Sequence, residues 1–134
     1  MSAVLVDSNV LLDFLLEDPA WSGWSTEALQ RLEAESELVI NPVIYAEVSV
    51  KFVRVEEVEE ALPTWRFRRD ALPWEAAFLA GKSYLAYRRR GGERRSPLPD
   101  FYIGAHASVH QMRLLTRDTR RYRSYFPWLD VISP

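Results

Sequence analysis

Short apolar runs separated by helix-like segments constrain the fold of this chain more than any other feature of its sequence. Residues 3–6, 38–40 and 113–116 contain consecutive Val, Ile or Leu without the polar alternation of a half-exposed strand. Strands buried on both faces have this pattern, and they occur in parallel sheets whose connecting helices cover both sides. The sequence therefore predicts an α/β fold with a parallel sheet between two helical layers.

The segments between these runs have the spacing of helices. We expect helices at residues 10–16, 25–35, 43–53, 55–62, 74–90 and 98–110, and weaker strands at 71–72 and 130–132. Gly91 and Gly92 are suited to end the fifth helix, because glycine readily adopts the left-handed conformation found after a helix C-terminus. No repeat, low-complexity tract or linker interrupts residues 1–134, so we expect a single domain.

Four acidic residues from distant segments are candidates for one site. Asp7 directly follows the first strand, and Asp118 follows the strand at 113–116. Asp100 falls in the first turn of its helix, and Glu47 lies one turn into the helix after the second strand. Open α/β sheets bind ligands outside the carboxyl ends of their strands, where these side chains could meet. Helix capping by the aspartates, and a solvent-facing Glu47, are the alternatives.

Carboxylates that share one edge of a sheet repel one another unless a cation neutralises them. Mg²⁺ and Mn²⁺ take oxygen ligands and bridge carboxylates to phosphate oxygens. Such ions activate water and stabilise displacement at phosphorus, so the four acids predict metal-dependent phosphodiester hydrolysis. The chain has no Cys, which excludes thiolate nucleophiles and leaves oxygen or imidazole as the metal ligands.

Four segments carry a family resemblance, and they are residues 4–12, 45–48, 99–107 and 115–118. In this order they resemble the motifs of PIN-domain ribonucleases, and those of VapC-type toxins most closely. The resemblance implies a three-layer α/β/α fold with a short, mainly parallel central sheet, and an Mg²⁺- or Mn²⁺-dependent endoribonuclease. It implies catalytic and metal-binding roles for Asp7, Glu47, Asp100 and Asp118, with polar support from Asn9 and Thr116. Ser8 stands where Thr is more usual, but it keeps the hydroxyl.

The same resemblance implies partners. An RNA substrate, a VapB-like antitoxin and a second copy of the chain in a homodimer are expected, as for the toxin of a type II toxin–antitoxin pair. Alternatives are a non-toxin PIN nuclease in RNA processing and a non-catalytic PIN-like adaptor that binds RNA or protein. A response-regulator receiver is disfavoured, because it needs adjacent acids after the first strand and a lysine after its last strand.

The near-neutral total charge of −2 conceals two unlike halves. Residues 1–67 hold 4 basic and 13 acidic side chains, a net charge of −9, whereas residues 68–134 hold 13 and 6, a net charge of +7. Arginines beside the acidic candidates could hold the RNA phosphates. We expect this role for Arg94, Arg95, Arg117, Arg120 and Arg121, with base stacking on Tyr122 and Tyr125.

Two further observations concern setting and histidines. No apolar run approaches the roughly 20 residues of a membrane span, and no signal-like stretch opens the chain, so we expect a cytoplasmic protein. His106 and His110 have the four-residue spacing of metal ligands on a helix. The residues between them include no Glu to act as a base, so we assign this pair no role.

Overall fold

A computed structural model describes residues 2–91 and 98–134, with Arg121 described by its backbone alone. Twelve elements follow one another in these residues. They are β1 (Ser2–Val6), α1 (Ser8–Leu15), α2 (Ser22–Glu33), β2 (Ser36–Ile40), α3 (Pro42–Ser49), α4 (Val55–Ala61), β3 (Phe67–Arg69), α5 (Trp74–Arg89), α6 (Leu98–Val109), β4 (Arg113–Leu115), α7 (Arg120–Tyr125) and β5 (Val131–Ile132). Across this described part, no helix has the length and apolar character needed to cross a membrane.

The five strands form one sheet in the order β3-β2-β1-β4-β5, and every neighbouring pair is parallel. The chain builds outward from β1 in one direction through β2 and β3, and then crosses to β4 on the other side. Right-handed crossovers therefore place α1 to α4 on one face and α5 to α7 on the opposite face. The three-layer α/β/α fold with a parallel sheet is confirmed.

The centre of the sheet is buried on both faces, as the apolar runs predict. Val4, Leu5 and Val6 in β1 have no exposed surface, and Leu114 and Leu115 in β4 are equally buried. Leu5 pairs with Val39 of β2 on one side and with Leu114 of β4 on the other. These neighbours enclose the last three residues of β1, which fixes the position of the residue that follows it.

Three expectations about local structure were wrong. The third strand lies at Phe67–Arg69 rather than at 71–72, because Phe67 is fully buried and anchors it beside β2. Helix α2 begins at Ser22 rather than at residue 25. Immediately before it, the carboxylate of Asp18 accepts from the N–H groups of Ala20 and Trp21. Helix α7, which the sequence did not predict, lies in the connection between β4 and β5.

Candidate functional site

The candidate site lies where the strand order reverses, between β1 and β4. Asp7 follows β1 and Thr116 follows β4, and the Asp7 N–H donates to the Leu115 carbonyl at 2.9 Å. Strands run in parallel here, so both residues emerge at the same edge of the sheet. The chain leaves β1 and β4 toward opposite faces of the sheet, which opens a crevice for a ligand at this point.

Asp7 is buried, with 3% of its surface exposed, and its carboxylate is surrounded by donors. Oδ1 accepts from the Ser8 N–H at 2.7 Å, which caps α1, and Oδ2 accepts from the Thr116 hydroxyl at 2.8 Å and the Tyr122 hydroxyl at 3.0 Å. Burial raises the pKa of Asp7 above its ordinary value, although these hydrogen bonds oppose the shift. The ionised form is therefore costly until a cation approaches.

Glu47 reaches Asp7 through a shared hydroxyl. Glu47 lies one turn into α3, and its Oε1 accepts from the Ser8 hydroxyl at 2.9 Å, while the same hydroxyl lies 3.4 Å from Asp7 Oδ1. Burial raises the pKa of Glu47, and the negative charge of Asp7 raises it further. The alternative of a solvent-facing Glu47 is wrong, because the side chain turns toward Asp7.

Tyr122 lies against the carboxylate of Asp7. Its ring is buried on α7, and its hydroxyl donates to Asp7 Oδ2 at 3.0 Å. Burial raises the pKa of Tyr122 well above the ordinary value, and the negative charges of Asp7, Asp100 and Glu47 add to the shift. The expected base stacking on Tyr122 is wrong, because only 1% of the residue is exposed.

The sequence did not reveal that Tyr122 is buried against Asp7, because helix α7 was not predicted. Tyr122, Tyr125 and Phe126 have the i, i+3, i+4 spacing of one helix face, and both Tyr122 and Phe126 are fully buried. The four arginines around them obscured this short apolar face, since residues 117–123 read as a basic segment.

Asp118 occupies the rim of the site rather than its interior. Its side chain is exposed, and its N–H donates to the Thr116 hydroxyl at 3.1 Å. It borders a cavity of about 620 Å³ that is also lined by Thr119, Arg120, Ser124 and Tyr125. Among the residues that the structure describes, no three of the four predicted acids bring carboxylate oxygens within 4.8 Å of one another.

Asn9 and Thr116 link the end of β4 to Asp7. The Asn9 amide donates to the Thr116 hydroxyl at 3.2 Å and accepts from the Arg117 N–H at 3.2 Å. Thr116 in turn donates its single proton to Asp7. The three side chains form a directional chain of hydrogen bonds that fixes the Asp7 carboxylate.

The chemistry of this donor set fits a hard divalent cation. The donors that hold Asp7 and Glu47 are three hydroxyls and one backbone N–H, none of which is positively charged. The carboxylates therefore keep their charge uncompensated by these partners, and each oxygen has lone pairs for a metal. Mg²⁺ usually keeps several waters and takes only one or two carboxylates, so the spread of the acids is compatible with it.

The predicted RNA-binding arginines are placed differently from one another. The Arg117 guanidinium donates to the buried Asp13 carboxylate at 2.5 and 3.0 Å and lies 5.1 Å from the centre of the Trp21 ring, so it is engaged within the fold. Arg120 is exposed at the rim beside Asp118. Arg94 and Arg95 lie outside the described residues, as does the side chain of Arg121.

Comparison with known families decides the identity of the fold. The model of the PIN domain matches residues 4–126. The chain belongs to the PIN domain family. No curated protein matches the sequence of this PIN domain.

Solved structures share the fold of this PIN domain at low sequence identity. VapBC2 from Rickettsia felis, bound to a promoter DNA fragment, matches with a TM-score of 0.76 and 15% identity over 98% of each chain. VapBC-1 from nontypeable Haemophilus influenzae matches with a TM-score of 0.74 and 18% identity, over 98% of this chain and 97% of that one. FitAcB from Neisseria gonorrhoeae matches with a TM-score of 0.73 and 20% identity, also over 98% of this chain and 97% of that one.

Proposed function

We propose that this PIN domain is a Mg²⁺- or Mn²⁺-dependent endoribonuclease and the VapC-type toxin of a toxin–antitoxin pair. The observation that carries the proposal is the pairing of Asp7 and Glu47 through the shared Ser8 hydroxyl at the reversal of strand order. A group of acids held by neutral donors in this crevice needs a cation to remain ionised together.

Asp7, Glu47 and Asp100 would hold the metal, with Asp118 at the rim contributing directly or through water. When bound, the metal would lower the pKa of a water molecule and stabilise charge at the scissile phosphate. The chain's own contribution is orientation: Ser8, Thr116 and Tyr122 fix the Asp7 oxygens by hydrogen bonds, and Ser8 sets Glu47 beside them.

The burial of Asp7 and Glu47 also determines how metal binding depends on pH. Burial raises the pKa of both Asp7 and Glu47, so the metal-free site retains protons at a higher pH than exposed carboxylates would. Metal binding must displace these protons, because ligating carboxylates are deprotonated. We therefore expect metal affinity to increase with pH.

The cavity beside Asp118 is the proposed path of the RNA backbone. Arg120 lines it, and Arg90 stacks over Tyr125, another of its lining residues, with 5.5 Å from the guanidinium carbon to the ring centre. A polyanion beside an acidic site needs such cations, whose phosphate contacts carry no sequence information. Arg94 and Arg95 remain predicted contributors to this surface.

Nuclease activity is tested with purified protein, single-stranded RNA and Mg²⁺ or Mn²⁺. Asp7→Asn should abolish cleavage and weaken Mn²⁺ binding measured by isothermal titration calorimetry. The matched control is Asp130→Asn, because Asp130 is exposed near β5. Equal cleavage by both variants, or no cleavage by the wild type with any divalent metal, would contradict the proposal.

The toxin assignment rests on a separate observation. The structural neighbours named above are VapBC and FitAcB complexes, and a further one is a toxin–antitoxin complex from Klebsiella pneumoniae at 23% identity. We expect a small adjacent reading frame whose product binds this chain in the cytoplasm and blocks cleavage. Co-expression should restore growth that the toxin alone arrests, and light scattering should show a homodimer of the purified chain.

A further inference from the structure

Three side chains of the types that bind metal ions meet at the β3 side of the sheet. None of them belongs to the acidic site of Asp7, Glu47, Asp100 and Asp118. Asp70 follows β3, His106 lies in the last turn of α6, and His110 directly follows that helix. One ligand atom from each, a carboxylate oxygen and two imidazole nitrogens, lies within 4.8 Å of the others. The two imidazole rings are 5.1 Å apart between centres, at 72° to each other. The sequence spacing of the histidines thus acquires a third ligand from a distant segment.

One nitrogen of His106 has no hydrogen-bond partner although the residue is buried. His106 has no exposed surface, and its Nδ1 lies 3.0 Å from the amide nitrogen of Asn41. Its Nε2 has no hydrogen-bond partner. Leaving a buried polar atom unpaired destabilises a fold, and such an atom calls for a missing ligand or ion.

We propose that Asp70, His106 and His110 form a second metal site, selective for a borderline divalent ion such as Zn²⁺. Two imidazoles and one carboxylate match a three-ligand zinc site that leaves the fourth position for water. Imidazole nitrogen favours zinc and neighbouring transition metals, whereas the all-carboxylate site favours Mg²⁺ and Mn²⁺. The bound ion would join α6, which carries Asp100, to the end of β3.

The surroundings of Asp70 orient it for this role. The Arg68 guanidinium donates to both carboxylate oxygens, at 3.0 and 3.2 Å. Each oxygen keeps a further lone pair, so Arg68 acts as an outer partner that fixes the carboxylate while a metal binds. Asp70 and Asn41 also border a cavity of about 390 Å³, which provides a route for the ion.

Asn41 sets the tautomer of His106 through the hydrogen bond to Nδ1. Asn41 Oδ1 caps α3 by accepting from the Ile44 N–H at 2.9 Å, so its amide NH₂ faces His106 Nδ1. A metal on Nε2 moves the ring proton to Nδ1, which then needs an acceptor. In the metal-bound form the Asn41 amide must turn its oxygen toward His106 and give up the cap. An Asp at this position would cap the helix and accept from His106 simultaneously.

The test uses the full chain stripped of metal with EDTA and titrated with ZnCl₂ in excess Mg²⁺, which occupies the acidic site. Calorimetry and thermal unfolding measure the binding. We expect one Zn²⁺ per chain and a rise in Tm, with affinity reduced at least about 100-fold in His110→Ala and in Asp70→Asn. Asn41→Asp should tighten binding about 10-fold or more.

The variants keep the test decisive even if changes at the buried His106 prevent folding. His110 is exposed, so its truncation leaves the core intact, and Asp130→Asn serves as the matched carboxylate control. No binding of Zn²⁺ to the wild type overturns the proposal. Equal affinity in the wild type and His110→Ala overturns it as well, because the ion would then lie elsewhere.

Discussion

The carboxylates around Asp7 and the imidazoles around His106 lie at the same edge of one sheet, yet they suit different ligands. The acidic group occupies the β1–β4 reversal and is held by hydroxyl donors, whereas the imidazole group lies beside β3 and contains an unpaired nitrogen. Helix α6 carries Asp100 of the proposed acidic site and His106 of the imidazole group, and His110 directly follows the helix. The two groups share one scaffold but offer different donor atoms, so mutations can separate their ligands.

The strongest separation is expected from removing one ligand of each group. Asp7→Asn should lower RNA cleavage by at least about 100-fold, more than the loss of an outer partner costs a metal site. It should leave Zn²⁺ affinity at the imidazole group unchanged. His110→Ala should have the reverse binding phenotype, losing Zn²⁺ and retaining Mn²⁺. Parallel titrations of both ions on both variants measure this, and a loss of both ions in either variant would mean that the two groups form one site.

A substitution within α6 should instead affect both groups together. A Cβ added at Gly104 would lie 2.5 Å from the ring of Phe126, which is buried and cannot move away freely. Gly104→Ala should therefore lower the free energy of unfolding by about 1–3 kcal/mol and weaken both Mn²⁺ and Zn²⁺ binding. Urea denaturation measures the stability change.

Gly81→Ala is the matched control for this substitution. Gly81 lies inside α5, and an added Cβ has nothing within 4 Å. The alanine should stabilise the helix by roughly 0.5–1 kcal/mol, because it reduces the freedom of the unfolded chain. A destabilisation of similar size at both glycines would argue against the close contact of α6 with Phe126.

The two groups also predict opposite dependences of stability on pH. Burial raises the pKa of Asp7 above 3.8, so the folded metal-free protein binds this proton more tightly and loses stability as the pH rises above about 4. Burial lowers the pKa of His106 from 6.5 to about 4, so its contribution is complete above pH 6.5 and is lost as the pH falls toward 4.

Denaturation of metal-free protein between pH 4 and 8 separates these contributions. Asp7→Asn should be more stable than the wild type at pH 7, and the difference should shrink as the pH approaches 4. His106→Gln should lose less stability than the wild type between pH 6.5 and 4. Curves that run parallel to the wild type would show that neither group titrates as its burial implies.

The sequence predicted what depends on local pattern and strand ends, and it missed what depends on packing. Uninterrupted apolar runs were sufficient for the parallel sheet, and an acid after β1 was sufficient to place Asp7 at its edge. The buried position of Tyr122 beside Asp7 was missed because its short helix is stabilised by burial against the core rather than by its own propensity. Asp70 was missed because only the pairing of β3 with β2 brings it to α6, and that strand was predicted four residues too late.

The smallest expected effect concerns the arginines, and it separates a structural cation from one that meets solvent. Arg120→Ala should reduce the dependence of RNA affinity on salt by about 0.7 in the slope of log K against log salt, the contribution of one phosphate contact on a single strand. Binding is measured in an Asp7→Asn background so that the RNA stays intact. Arg31→Ala is the control, since Arg31 is exposed on α2 in the opposite helical layer. Arg117→Ala should leave the slope nearly unchanged and instead lower stability, because the buried Asp13 carboxylate loses its cationic partner and keeps the neutral Ser25 hydroxyl as a donor. A slope reduced equally by Arg117→Ala and Arg120→Ala would mean that Arg117 leaves Asp13 to bind RNA.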